Sequence, residues 1–253
     1  MRRMNGHLMG VMALGLAASI TGCGEKRDTG EVTSKSGDQT TVAPPSDAVE
    51  KRDHALIRAV NAVPGRPAVT IYAGDSAAFP SVAYKKATGY KEIPDDLFNF
   101  EIKAGDRPDG ASLASNREKL ADGGHYTVVA LPSEDPDDLN LRILDDGLKP
   151  VTSGKARVRF LNGMAGDTDV DLFIRGQKDP LFDGVNFKAE GGWKEVDPAA
   201  GTLVVKPDNK SNTLATLAGA DLKAGTSYTF VLVGKPGKYQ IVQIQDEVAG
   251  APQ

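Results

Sequence analysis

The sequence predicts an all-β protein: two tandem β-sandwiches behind a leader and a disordered tether. Three observations carry this. From Ala55 onward the chain runs twice. Within each copy apolar residues alternate with a period of two. Gly, Pro, Asp and Asn clusters interrupt the alternation at short intervals, giving about seven short strands per copy, the sandwich pattern.

The chain begins with a leader, residues 1–22. Arg2 and Arg3 supply a positive start, Leu8 to Ile20 is mostly apolar and uncharged, and small residues follow. That stretch is too short to span a bilayer, which takes about 20 apolar residues. The leader ends in Ile20-Thr21-Gly22-Cys23, which resembles the lipobox of a bacterial lipoprotein. Cleavage before Cys23 and acylation of its thiol, with palmitate-type chains, are what that resemblance implies. The bilayer is then the first partner. Each buried methylene contributes roughly 0.8 kcal/mol, so two or three chains make attachment effectively permanent. Gly24 stands where such proteins often carry an inner-membrane aspartate, so the outer membrane is the expected destination. Cys23 is the only cysteine, so the exported fold has no disulfide of its own.

Residues 23–53 form the expected tether. Val32, Val42, Ala43, Ala48 and Val49 are its only apolar side chains after Cys23, and it has no aromatic. Such a segment buries too little to order itself. As a coil it reaches about 30 Å. The formal charge of −4 becomes −6 once Arg2 and Arg3 leave with the leader. That balance argues against a nucleic-acid partner, which needs a basic footprint.

The first sandwich is expected over residues 54–148, the second over 155–248. Residues 149–154 link them, and 249–253 form a tail. Ala55–Asn61 aligns with Ala156–Asn162, Ala68–Tyr72 with Asp169–Phe173, and Val82–Lys85 with Val185–Lys188. Gly89–Ile93 aligns with Gly192–Val196, Leu120–Val129 with Leu222–Val231, and Asp145 with Asp246. In the first strand of each copy Ile57 and Ala59, like Val158 and Phe160, share one face; Arg58 and Arg159 take the outward one. Later strands are read at Phe98–Ile102, Tyr126–Leu131 and Leu139–Leu144, with counterparts at Thr202–Lys206, Tyr228–Val233 and Gln240–Gln245.

Leu120-Ala-Asp-Gly-Gly-His-Tyr126 and Leu222-Lys-Ala-Gly-Thr-Ser-Tyr228 resemble the tyrosine corner of immunoglobulin-like and fibronectin-type sandwiches. Tyr126 and Tyr228 are therefore expected to be structural. Asn61 and Asn162 fall inward at the end of the first strand, before a turn, where an amide satisfies loop backbone groups.

Arg58-Ala-Val-Asn-Ala-Val-Pro-Gly-Arg-Pro-Ala-Val-Thr-Ile-Tyr72, followed by Val82-Ala-Tyr and Gly89-Tyr, resembles the domain of unknown function 4397. Copy two supplies Val170-Asp-Leu-Phe173 and Pro198-Ala-Ala-Gly201 in the same places. The turn lacks that family's serine, copy two lacks its prolines there, and copy one has Asp95-Asp96 for Ala-Gly. The resemblance implies tandem exported β-domains and no known chemistry.

Nothing in the mature chain assembles a catalytic motif. His54 lies at the tether boundary, and His125 is expected as an exposed turn residue. No phosphate-binding glycine loop, nucleophile elbow or zinc spacing is present, so neither catalysis nor a cofactor is expected. The acidic stretches Ser133–Asp138 and Asp167–Asp171 are expected to be solvated surface, since calcium takes six to eight oxygens. Tyr90 and its counterpart Trp193 are expected to cover the end of a core; the rival reading makes them a glycan-stacking platform. The sequence thus describes a membrane-anchored envelope lipoprotein with a non-catalytic structural or protein-interaction role, the alternative being a receptor for a glycan or small molecule.

Overall fold

The structure, a computed structural model, describes residues 54–166 and 168–247. The leader, Cys23, the tether and the tail lie outside the described residues. The first domain runs β1 (His54–Asn61), β2 (Ala68–Ala73), β3 (Ser76–Ala83), β4 (Lys91–Pro94) and β5 (Leu97–Lys103). A 3-10 turn at Ala104–Asp106 leads to β6 (Ser112–Lys119), β7 (His125–Pro132) and β8 (Leu139–Asp145). The second runs β9 (Ala156–Asn162), β10 (Val170–Ile174), β11 (Phe182–Val185) and β12 (Lys194–Val196). It ends with β13 (Ala199–Pro207), β14 (Ala215–Leu222), β15 (Thr226–Lys235) and β16 (Lys238–Glu247).

Each domain is a sandwich of two four-stranded sheets, immunoglobulin-like in architecture. The orders β4-β1-β7-β8 and β3-β2-β5-β6 in the first recur as β12-β9-β15-β16 and β11-β10-β13-β14 in the second. Their central pairs are parallel, β1 with β7 and β9 with β15, and the registers are equivalent: Ile57 faces Tyr126 as Val158 faces Tyr228. The pairing also corrects the alignment of the acids. Tyr126 faces Asp145 while Tyr228 faces Gln245, so the counterpart of Asp246 is Asp146, one residue on.

Strands β6 and β14 were not legible in the sequence. Ser112–Lys119 has one buried side chain, Ala114, because it is the edge of its sheet and needs only a weak inward pattern.

Period two then sorts each central strand. Ala55, Ile57 and Ala59 join Tyr126, Val128 and Ala130 in the first core; Val158, Phe160, Tyr228 and Phe230 fill the second. The opposite face, predicted outward, is also buried. Val60, Val129, Leu131, Leu161, Val231 and Val233 form a third apolar cluster shared by the two domains. The two sandwiches belong to one compact unit. Among the described residues no helix is long and apolar enough to cross a membrane.

Candidate functional site

The seam between the sandwiches gathers the buried arginines and two of the buried aspartates. Arg58, 3% exposed, projects from β1 on the side away from its own core. Its Nη1 and Nη2 donate to the two oxygens of Asp246 in the other domain at 2.6 and 2.8 Å. Its Nε donates to Thr127 Oγ1 at 2.8 Å. The equivalent Arg159 on β9 mirrors this: Nε donates to Thr229 Oγ1 at 2.9 Å, and Nη2 donates to Asp146 of the first domain. The contact is reciprocal, as in a two-fold dimer whose subunits have been joined in one chain.

An aromatic ring covers each arginine. The Arg58 guanidinium lies 4.7 Å from the Tyr90 ring centre, and Trp193 lies over Arg157 and Arg159 at 4.2 and 4.4 Å. These two aromatics therefore cover the seam cations, not the end of a core. Tyr90 also donates its hydroxyl to Asp146 Oδ2 at 2.7 Å. Trp193 has no hydroxyl to reach an acid, and its buried Nε1 finds no partner among the described residues. Burial and the neighbouring Asp146 push the Tyr90 hydroxyl far above the usual tyrosine range. Burial opposes the charge of Arg58, but Asp246 and Asp146 outweigh it and raise its pKa. Burial and the charge of Arg159 lower that of Arg157.

The apolar part of the seam supplies the adhesion. Each fully buried Val, Leu or Ile contributes roughly 1.5–3 kcal/mol, whereas a buried ion pair is often no better than apolar residues of the same volume. The charges set register and orientation instead.

Where β1 and β9 end, four turns surround a cleft of about 620 Å³. The β1–β2 turn lies against the β15–β16 turn: Lys235 Nζ stands 3.2 Å from where a Cβ on Gly65 would be. The β9–β10 turn lies against the end of β7, where a Cβ on Gly163 would meet Leu131 Cδ2 at 3.0 Å. Val63, Leu139, Ala165 and Tyr239 line the cleft, with Arg66 and Lys235 in one pair of turns and Asp135 and Asp138 in the other. Among the described residues the side chains of Arg66, Lys235 and Asp138 have no ion pair or hydrogen bond. Asp135 caps its own turn, accepting from the Asp137 amide at 3.0 Å.

The other residues singled out in the sequence are scattered. The Asn61 amide donates to Val82 O and Arg66 O at 3.0 and 3.3 Å and accepts from the Val63 amide at 2.9 Å. Asn162 does the same with Val185 O and the Met164 amide, each at 2.9 Å. Both asparagines staple a turn. The tyrosine corners are formed: Tyr126 accepts from the Ala121 amide at 3.0 Å, and Tyr228 from the Lys223 amide at 2.9 Å while donating to Asp221 O. His125 is not an exposed turn residue. It opens β7, half-buried, with its ring edge-on to Tyr90 at 5.5 Å. Its counterpart Ser227 is fully buried. Asp171 is not solvated either: it is 5% exposed and accepts from the Gly184 amide at 2.9 Å. Oxygens of Asp171, Asp183 and Asp208 lie within 4.8 Å of one another, a grouping that could hold a cation and that joins residues far apart in sequence. Burial, with Asp208 and Asp183 nearby, raises the pKa of Asp171. Asp167 lies outside the described residues.

The sequence missed the seam, though a signal was there. Val128-Val-Ala-Leu131 and Phe230-Val-Leu-Val233 are continuous apolar runs, which mark strands buried on both faces.

Fold and seam together define a tandem β-sandwich protein whose two modules are paired through equivalent faces. The family model described as "Domain of unknown function (DUF4397)" matches residues 55–172 and again 156–253, and the chain belongs to that family. No curated protein matches it. Among solved structures, the C-terminal domain of AlgF from P. aeruginosa is 22% identical, with 37% of this chain and 99% of that one covered, at a TM-score of 0.31. A candidate cell adhesion protein from Bacteroides uniformis is 12% identical over 81% of this chain and 100% of its own, at a TM-score of 0.26. A candidate cell adhesion protein from Bacteroides fragilis is 11% identical over 74% and 84%, at 0.20.

Proposed function

We infer that this chain is a membrane-anchored envelope lipoprotein whose folded part is a non-catalytic structural or protein-interaction module. The anchor is Cys23, read from its lipobox, with the outer membrane as destination. The observation that carries the module reading is the seam. A shared apolar cluster and two reciprocal buried ion pairs join the sandwiches, so the turns at their ends are presented in a fixed arrangement. The buried arginines and aspartates of the seam saturate one another, which favours presentation over chemistry. The rival glycan platform at Tyr90 and Trp193 loses support, because each ring already lies against a guanidinium.

Two experiments test the reading. Cys23→Ser is expected to prevent acylation and release the protein from membranes; continued detergent-dependent partition of a processed mutant would refute the anchor. Cross-linking in intact cells is expected to capture a recurrent envelope partner. Recovery of the uncross-linked monomer alone would count against an interaction module.

A further inference from the structure

The seam and the cleft are built from equivalent segments of the two copies, yet only the buried ion pairs of the seam are matched between them. Arg58 and Arg159, Thr127 and Thr229, Asp146 and Asp246 are matched pairs. The cleft turns have diverged in sign. Copy one has Pro132-Ser-Glu-Asp-Pro-Asp-Asp138 between β7 and β8; copy two has Lys235-Pro-Gly-Lys238 between β15 and β16. The cross-domain packing sets Arg66 beside the basic turn and Ala165 beside the acidic one. The cleft therefore has cationic residues on one pair of turns and anionic residues on the other, and Val63, Leu139 and Tyr239 add an apolar lining.

Its position is also informative. β1 starts at His54, and the cleft opens beyond Asn61, the other end of that strand. At about 3.3 Å per residue the cleft stands roughly 25 Å from the start of β1. About 620 Å³ is the size of a site for a small organic ligand or a few residues of peptide. Pro64, Pro132, Pro136 and Pro236 stiffen its walls, which lowers the entropy lost on binding.

We propose that this cleft binds a short peptide carrying a free carboxylate and a free amine. The carboxylate lies against Arg66 and Lys235, the ammonium against Asp138 and the open oxygen of Asp135. Apolar side chains of the peptide rest on Val63, Leu139 and Tyr239. A two-fold ligand would match a symmetric cleft; opposite poles select a ligand with opposite ends and fix its direction. The proposal rests on the reading of the folded part as a binding module and is independent of the anchor.

The test is calorimetric titration of the full chain, in detergent, with Ala-Leu-Pro-Ala in four forms: free, N-acetylated, C-amidated and blocked at both ends. Each block is expected to weaken binding about fivefold, the effect of one partly screened charge-assisted contact. Lys235→Glu is expected to weaken the free and acetylated peptides and leave the amidated one unchanged. Asp138→Lys is expected to weaken the free and amidated peptides and leave the acetylated one unchanged. Both residues are exposed, Lys235 at the end of β15 and Asp138 in a turn, so neither change threatens the fold. Equal affinity for all four forms, or no binding of any at millimolar concentration, overturns the proposal. Capture of a cross-linked partner alongside such a result removes this proposal and leaves the module reading standing.

Discussion

The seam and the cleft are adjoining parts of one interface between the two sandwiches. Along the seam, equivalent residues of the two copies face each other and their charges cancel inside an apolar surround. At the cleft, equivalent turns carry opposite charges that form no ion pair among the described residues. The difference teaches how a duplicated surface is used. Where it holds the domains together, two-fold packing matches the ion-paired residues of both copies, because a change in one breaks a contact of the other. Where the turns reach solvent, no such constraint acts and the copies drift apart in sign.

The comparison breaks most directly at Asp146, which accepts from Arg159, Thr127 and Tyr90 at once. Asp146→Ala strands a buried arginine, and the expected loss is about 3–5 kcal/mol, measured by urea denaturation. The paired replacement Arg159→Met with Asp146→Leu is expected to recover most of it, since the charges orient the seam more than they stabilise it. If the single change costs under 1 kcal/mol, the seam is not closed to water.

Leu161 comes next. It is fully buried in the shared cluster, and Leu161→Ala is expected to cost about 2–4 kcal/mol in the same assay.

Tyr90 gives the seam a pH limit. Its folded pKa is raised by burial and by Asp146, so unfolded chains lose that proton first. The contribution of Tyr90 to stability is then constant below about pH 10, where a free tyrosine ionises, and falls as pH rises beyond it. Tyr90→Phe is expected to make that fall shallower. An unchanged slope in denaturation midpoints between pH 9 and 11 would show that Tyr90 does not lie in the dry part of the seam.

The smallest effect belongs to the cleft. Lys235→Glu is expected to change stability by less than about 0.5 kcal/mol, as for other exposed substitutions away from buried contacts. A larger loss would mean that Lys235 belongs to the seam, and the contrast between the two regions would collapse.

Much of the fold was legible in local pattern. Alternation placed Ile57, Ala59, Val158 and Phe160 in their cores, and the Gly-x-x-Tyr spacing placed Tyr126 and Tyr228 at their corners. Asn61 and Asn162 staple turns as their position implied. The site was less legible. Arg58 and Arg159 read as outward residues because period two distinguishes two faces and says nothing of what covers the second. Tyr90 and Trp193 read as core caps for the same reason: their partners, the seam arginines, lie on other strands. Asp171 read as solvated because Asp183 and Asp208 approach it only through sheet pairing.

By itself, the sequence determined what depends on neighbours along the chain: the duplication, the strand period and the turn chemistry. Tertiary structure alone decided what depends on distance through space. It chose which face of each sandwich meets the other, which acid answers which arginine, and where four turns leave a polarised cleft. Strand periodicity is a local property of the backbone, whereas the pairing of two sheets is a contest among surfaces. That contest is settled only when both surfaces exist.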